Sequence, residues 1–558
     1  MKLYEGIAAS LADEADGSIF GLMGDGNMSL WGALVAQGRV AMYSARKEAG
    51  AVAMADGYYR ATGKLGVATV TCGPGLTQVG TSLMAAVRNR TPMVLVIGEI
   101  PPSSKNKLQW FDQRRFAEAC ETRYFTVTTV DDAADEIAEA FFWARANRSP
   151  VVLNLPIDIQ ERSFDWDWTY RTSAEFVPLA EAAGDEALEP LVEALLRAER
   201  PVIIAGRGVR LAGARGDVVR IADQVGALLG TSLQAKGLFS GHEYDIGTAG
   251  TFASAPSEEL FAEADYVLGI GAELGYYTAE GGLLFPAAEV ARIDIAPAPR
   301  ELGVLPGLYI RGEAAKTAAK LARILEERQV QKEGFRSAHT RQVLASAPHS
   351  FEKATDGLDQ RTLMRSLSKA IPDDAIITSG AGHFFGFVAM HLALPASVDI
   401  QFSIQFGAVG QALPTAIGIG VGSPGRPHLL IEGDGSLMMN VQELDTVARH
   451  NIPMVVLVMN DGGYGAEVHK LSLKGFDPSM AVHGSPDFVG LARAFGGDGV
   501  TLETEDDLDA ALQRGFAAGG LFLIDARISP STISDAYQKV HFGIPNKAPL
   551  LRHASTVS

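Results

Sequence analysis

The chain has two cysteines, Cys72 and Cys120, in 558 residues. That is too few for a disulfide framework or a thiolate metal cluster, and it fits a reducing cytoplasm. There is no run of Lys and Arg: 48 basic residues stand against 66 acidic ones, for a formal charge of -18. Nothing here tracks a phosphate backbone, and no nucleic-acid partner is expected. No stretch reaches the roughly 18 apolar residues of a membrane span. Residues 1–20 have neither a basic start with an apolar core nor a small-residue cleavage site, so secretion is not implied. Only 20% of residues are charged and 47% are apolar, which is the composition of a folded protein and not of a disordered one.

What is present is a rhythm. Short apolar runs rich in Val and Ile, bounded by Gly or Pro, fall at 18–23, 39–43, 66–71, 93–97 and 151–155, separated by helix-length segments. Such runs suit parallel strands buried on both faces. The pattern lapses over 160–189, resumes at 201–205, 266–270 and 290–295, and fades again over 326–357. A third series follows at 375–378, 428–431, 454–459 and 521–524, closing with an irregular tail. A chain of this length calls for about three domains. The expected fold class is α/β, with three consecutive doubly wound parallel-sheet domains at 1–165, 188–330 and 355–545, the first and third sharing a coarse plan.

The most informative stretch is the apolar run 428–431 leading into Glu432, Gly433, Asp434, Gly435 and Ser436. Glycines at the end of a parallel strand let the backbone approach a ligand, and a following helix presents free N–H groups to phosphate. Asp434 would repel a phosphate unless a divalent cation lay between them, an arrangement magnesium commonly adopts. Beyond the next strand come Asn460, Asp461, Gly462, Gly463 and Tyr464, again putting oxygen ligands at a strand's carboxyl edge. This pairing resembles the thiamine-diphosphate motif of the acetolactate synthase and pyruvate decarboxylase superfamily. The resemblance implies a pyrimidine-binding first domain, a Rossmann-like middle domain and a diphosphate-binding third domain. It also implies that Asp434, Asp461 and the Gly463 carbonyl hold Mg2+, with Gly433, Gly435, Ser436 and Tyr464 around the diphosphate. The family usually carries Asn where Asp461 stands.

Glu48, just after a strand and ahead of a helix rich in small residues, resembles the family's cofactor-activating glutamate, which pairs with the aminopyrimidine ring. Burial would raise its pKa toward working pH, as acid–base chemistry requires. The context supports this, since 55–63 and the run Thr71-Cys72-Gly73-Pro74-Gly75 follow the family's order. Gly407 and Val409 resemble the segment that wedges an apolar side chain under the cofactor and accepts a hydrogen bond from it, keeping proton transfer local.

For the reacting end, Asp25 and Glu467 resemble the catalytic acids of the decarboxylases, Gln109 is closer to the acetolactate synthase pattern, and His383 and His469 are hydrogen-bond donors to test. FAD is not expected: Gly271-Ala272-Glu273-Leu274 replaces an element that carries arginine in flavin-holding relatives. The function implied is a thiamine-diphosphate-dependent 2-oxo-acid decarboxylase or carboligase working through a C2 carbanion and an enamine on a small carbonyl substrate. Two alternatives stay open: a C–C lyase for acyloin, 2-hydroxyacyl or diketone substrates, and a cofactor-binding regulatory protein without turnover. Because Glu48 and Asp434 fall in different domains, a homodimer or homotetramer with its sites at the subunit interface is expected.

Overall fold

The computed structural model describes residues 1–101, 103–104, 107–299, 303–346 and 351–542; the expected end of the third unit at 545 lies outside them. Among the described residues eighteen strands form three six-stranded sheets. The first holds β1 (Ser18–Gly21), β2 (Ala41–Ser44), β3 (Gly66–Val70), β4 (Met93–Glu99), β5 (Arg123–Thr126) and β6 (Pro150–Pro156). The second holds β7 (Pro201–Ala205), β8 (Leu228–Thr231), β9 (Asp245–Thr248), β10 (Tyr266–Ile270), β11 (Glu289–Asp294) and β12 (Leu308–Arg311). The third holds β13 (Ile376–Ser379), β14 (Asp399–Phe402), β15 (His428–Gly433), β16 (Met454–Asn460), β17 (Asp498–Leu502) and β18 (Leu521–Arg527). The pairings within each sheet are parallel, as expected for an α/β chain whose helices cover both faces.

The spatial orders explain the division of labour. The first sheet runs β2-β1-β3-β4-β6-β5 and the third β14-β13-β15-β16-β18-β17, the same order once numbering restarts. The second runs β12-β11-β10-β7-β8-β9, which from the far edge is the 3-2-1-4-5-6 order of dinucleotide folds. The sequence rhythm missed β5, β8, β9, β12, β14 and β17. Five of these are sheet edges, covered on fewer sides and built from mixed segments such as Asp399-Ile-Gln-Phe402 and Leu308-Tyr-Ile-Arg311, so no continuous apolar run marks them. The tail after β18 is not wholly irregular either, for Asp535–Phe542 is a helix.

The helix Glu48–Thr62 crosses Ala412–Gly422 in direct backbone contact. A Cβ on Gly57 would lie 2.0 Å from the Thr415 carbonyl oxygen, and one on Gly418 would lie 1.9 Å from that of Met54. Around the crossing one apolar core runs between the first and third sheets and includes Val52, Tyr58, Leu413, Ile417 and Val456. Gly57→Ala should therefore lower Tm by several degrees through overpacking. Gly32→Ala, on an exposed helical face with open space around the added methyl, should raise it by about 2 °C, as a gain of up to roughly 1 kcal/mol in helix propensity does. Paired thermal melts check both signs.

Candidate active site

β15 and β16 are neighbours with Gly433 opposite Met459, and every residue of both strands is buried. Their shared register delivers two acidic turns to one point on the sheet's carboxyl edge. Asp434, 2% exposed, opens the helix Asp434–Met438, and its Oδ2 accepts from the Gly462 N–H at 3.0 Å. Asp461 folds back to accept from the Gly463 N–H at 3.3 Å. Asn460 locks the second turn, accepting from Gly462 and Ser485 at 3.2 and 2.8 Å and donating to Asp525 at 2.7 Å.

The electrostatics call for a cation. Burial pushes the Asp434 carboxyl up to about 6. Burial and then the field of Asp434 push Asp461 up to about 7. Two carboxyls that cannot both ionise comfortably are answered by a divalent ion. The glycines beside them pack under aromatic rings and leave no room for a side chain: a Cβ on Gly433 would meet the Phe384 ring at 3.0 Å, and one on Gly435 the Tyr464 ring at 2.7 Å. Tyr464 is half-exposed, with its ring edge-on to His483. The residues present thus fit a metal-bound diphosphate.

Ser436 accepts from the Gly410 N–H at 2.9 Å, and Asn440 donates to the Gly410 carbonyl. These bonds join the acidic turn to the segment with Gly407 and Val409. Both residues line a cavity of about 1000 Å³, whose lining also includes Asn89 of the first unit and Arg207, Gly271 and Tyr276 of the second. Val409 is 36% exposed, an apolar side chain left open at the cavity.

His383 and His469 are buried together, ring centroids 4.5 Å apart. Burial holds His383 down to about 3 and lowers His469 as well, so both are neutral. The His383 Nε2 accepts from the Ser534 N–H at 3.1 Å, leaving Nδ1 as its donor. Glu467 is exposed on the helix Gly465–Leu473, 3.6 Å from Lys470.

On the first sheet, Glu48 begins its helix half-buried, and its carboxylate has no partner among the described residues. Asp25 is exposed in a turn after β1, and the helix that follows at Met28 has Asn27, not Asp25, as its N-cap residue. Gln109 receives the Cys72 thiol at 3.3 Å. Asp25, Glu48 and Gln109 do not line the cavity that Gly407 and Val409 share.

Sequence reasoning missed Glu432. It is fully buried, and burial pushes it up to about 8 against the opposing pull of Ser436 and the Leu413 and Gly433 backbone; a charged residue ending an apolar strand was the available signal. It also missed Ser534 and Tyr537, which pack onto His383 from the tail and carry no motif.

Together these features define a class: an α/β protein of three parallel sheets, with a pair of buried carboxyls at the third sheet's carboxyl edge that is suited to hold an anionic ligand through a cation. Three family models match in order: Thiamine pyrophosphate enzyme, N-terminal TPP binding domain, over residues 1–119; central domain, over 188–321; and C-terminal TPP binding domain, over 380–526. The chain belongs to the thiamine-diphosphate-dependent enzymes of the acetolactate synthase and pyruvate decarboxylase superfamily. It is 26% identical over 546 residues to the acetolactate synthase large subunit of Haemophilus influenzae, covering 94% of each chain. It is 28% identical over 532 residues to the isozyme 2 large subunit of Escherichia coli, again 94% of each. To a probable 2-ketoarginine decarboxylase of Pseudomonas aeruginosa it is 29% identical over 530 residues, covering 93% of this chain and 92% of the relative. Among the described residues no helix is long and apolar enough to cross a membrane.

The raised carboxyls fix a pH dependence. Groups whose folded pKa exceeds the unfolded value favour the folded, cation-free protein at low pH, and that contribution is lost as pH rises through about 7. A divalent ion must displace those protons, so its binding should weaken as pH falls from 8 to 6, by at least tenfold in calorimetric titrations of Mg2+ with thiamine diphosphate. Asp461→Asn removes the repulsion and keeps an oxygen ligand, so it should raise the Tm of the cation-free protein at pH 8 by about 2–4 °C, the shift that roughly 1 kcal/mol produces.

Proposed function

We propose that this protein is a thiamine-diphosphate- and Mg2+-dependent 2-oxo-acid decarboxylase or carboligase of the acetolactate synthase type. The observation that carries the reading is the acidic pair Asp434 and Asp461, joined through Ser436 to the loop of Gly407 and Val409. Asp434, Asp461 and the Gly463 carbonyl would hold the cation, and Gly433, Gly435, Ser436 and Tyr464 would surround the diphosphate. The bound cofactor would supply the electron sink for cleaving the bond beside a carbonyl. The chain's own residues do the rest: Val409 supports the ring, the Gly407 carbonyl accepts a hydrogen bond, and Glu48 carries the proton at the far ring. His383 and His469, neutral as they stand, serve as hydrogen-bond donors; Asp25, Glu467 and Gln109 handle protons and orientation at the substrate. Glu273 pairs with Arg90 at 3.3 Å where an arginine would be wanted for a flavin, which supports operation without FAD.

Glu48, Asp25 and Gln109 lie apart from the loop they would serve, and this supports a site completed by a second copy. The exposed Met438, Met439, Met480 and Val482 near the diphosphate turn suit burial against it. We therefore read the protein as a cytoplasmic homodimer or homotetramer, with functional units at 1–165, 188–330 and 355–545. The cavity of about 1000 Å³ favours, as a second reading, a C–C lyase for bulkier acyloin or diketone substrates, since it far exceeds a three-carbon acid.

Glu48→Gln should abolish turnover, by at least a hundredfold, while thiamine diphosphate uptake measured calorimetrically stays within a few fold. Full activity in that variant would remove Glu48 from the mechanism. Carbon dioxide release from a panel of 2-oxo acids separates the two readings: cleavage of acyloins or diketones without it selects the lyase.

A further inference from the structure

The loop that supports Val409 is strained. Phe406, a bulky non-glycine residue, sits at φ 64° and ψ 4° inside the turn Gln405–Gly407, a conformation that persists only where the surroundings over-determine it. The bonds from Ser436 and Asn440 hold the loop's far end at Gly410. Its near end is held from the first domain. Arg60, in the last turn of the helix that Glu48 begins, donates from Nη1 to the Phe402 carbonyl at 2.9 Å and from Nη2 to the Gln405 Oε1 at 2.8 Å. Gln405 Oε1 also accepts from the Ile404 N–H at 3.2 Å, so the guanidinium fixes the acceptor that closes the start of the turn.

Arg60 is itself fixed. Its Nε donates to Asp56 Oδ2 at 2.8 Å, and the two side chains are 3% and 5% exposed. Asp56 Oδ1 accepts from Asn89 at 2.9 Å and from Thr91. A buried ion pair gives little net stability, because desolvation offsets its attraction. What this one does provide is direction: a planar fork held at Nε and Nη2, with the remaining N–H groups aimed at the loop. Lysine has no such geometry.

We propose that Arg60 is a positioning residue, holding the Phe402–Gln405 segment so that the strained turn keeps Gly407 and Val409 in place. This rests on the thiamine-diphosphate reading above, and it assigns the helix Glu48–Thr62 two tasks, an acid at one end and a loop clamp at the other.

The test uses the full protein with Mg2+ and thiamine diphosphate, comparing Arg60→Lys, Gln405→Met and Gln405→Glu. In the first two, hydrogen–deuterium exchange at the cofactor's C2 position should slow at least tenfold and kcat should fall with it. KM and the cofactor Kd should change less than threefold, because the diphosphate and metal are held elsewhere. Gln405→Glu keeps the acceptor and should stay near the wild-type rate. In cofactor-free protein, backbone amide exchange over 402–411 should quicken in the first two variants and not in the third. Wild-type C2 exchange in Arg60→Lys and Gln405→Met would overturn the proposal, as would an equal loss in all three variants or a loss matched by weaker cofactor binding. If the unmodified protein takes up no thiamine diphosphate, the functional reading fails, and amide exchange over 402–411 alone decides whether Arg60 holds the loop.

Discussion

The site depends on the enforced nearness of two carboxylates. Left to themselves Asp434 and Asp461 would move apart or keep their protons, since burial makes each charge costly and the field of Asp434 raises the cost at Asp461 further. They cannot move apart, because one follows β15, the other follows β16, and a backbone N–H of the second turn is bonded to Asp434. The strand register therefore stores an electrostatic demand of the kind a divalent cation would meet. From that point the architecture extends outward: Ser436 ties the acidic turn to Gly410, the loop carries Val409 to the cavity, and the helix crossing at Gly57 and Gly418 binds the loop's helix to the one that begins at Glu48.

That crossing joins distant segments of the single chain directly. Residues 48–62 and 402–422 are separated by more than half the sequence, yet their backbones touch at two glycines and their polar ends are bonded. Glu443 adds to this, its buried carboxylate accepting from the Arg46 and Lys47 N–H groups at 3.1 and 3.0 Å. It thereby satisfies donors that the start of a helix otherwise leaves open. The space it needs is kept by Gly50, where a Cβ would lie 2.5 Å from its Oε1.

Much of this is legible in the sequence. Central strands are buried on both faces and so announce themselves as unbroken apolar runs, and the acidic turns stand at their ends, where α/β sheets bind ligands. Edge strands such as β14 and β17 carry polar residues at solvent-facing positions, and their short runs merged with the loops around them. The third sheet's site was readable because Gly433 to Ser436 and Asn460 to Tyr464 are contiguous. Contacts assembled from far-apart segments were not, which is why the pairing of His383 with His469 and the packing of Tyr537 went unseen. Glu48 was singled out by its neighbours in sequence, while its half-buried state depends on what covers it, and no local pattern encodes that.

The matching strand orders of the first and third sheets have a consequence of their own. In each, the chain reverses direction across the sheet at the same step, between β1 and β3 in one and β13 and β15 in the other, so each sheet opens an equivalent crevice there. Asp25 and Cys72 occupy the loops at one crevice; His383 and Asp434 occupy their topological counterparts at the other. A chain carrying one plan twice has the makings of a receptor for a molecule with unlike ends. Divergence can then fit one crevice to a charged tail and its twin to an uncharged ring, without a second scaffold having to arise.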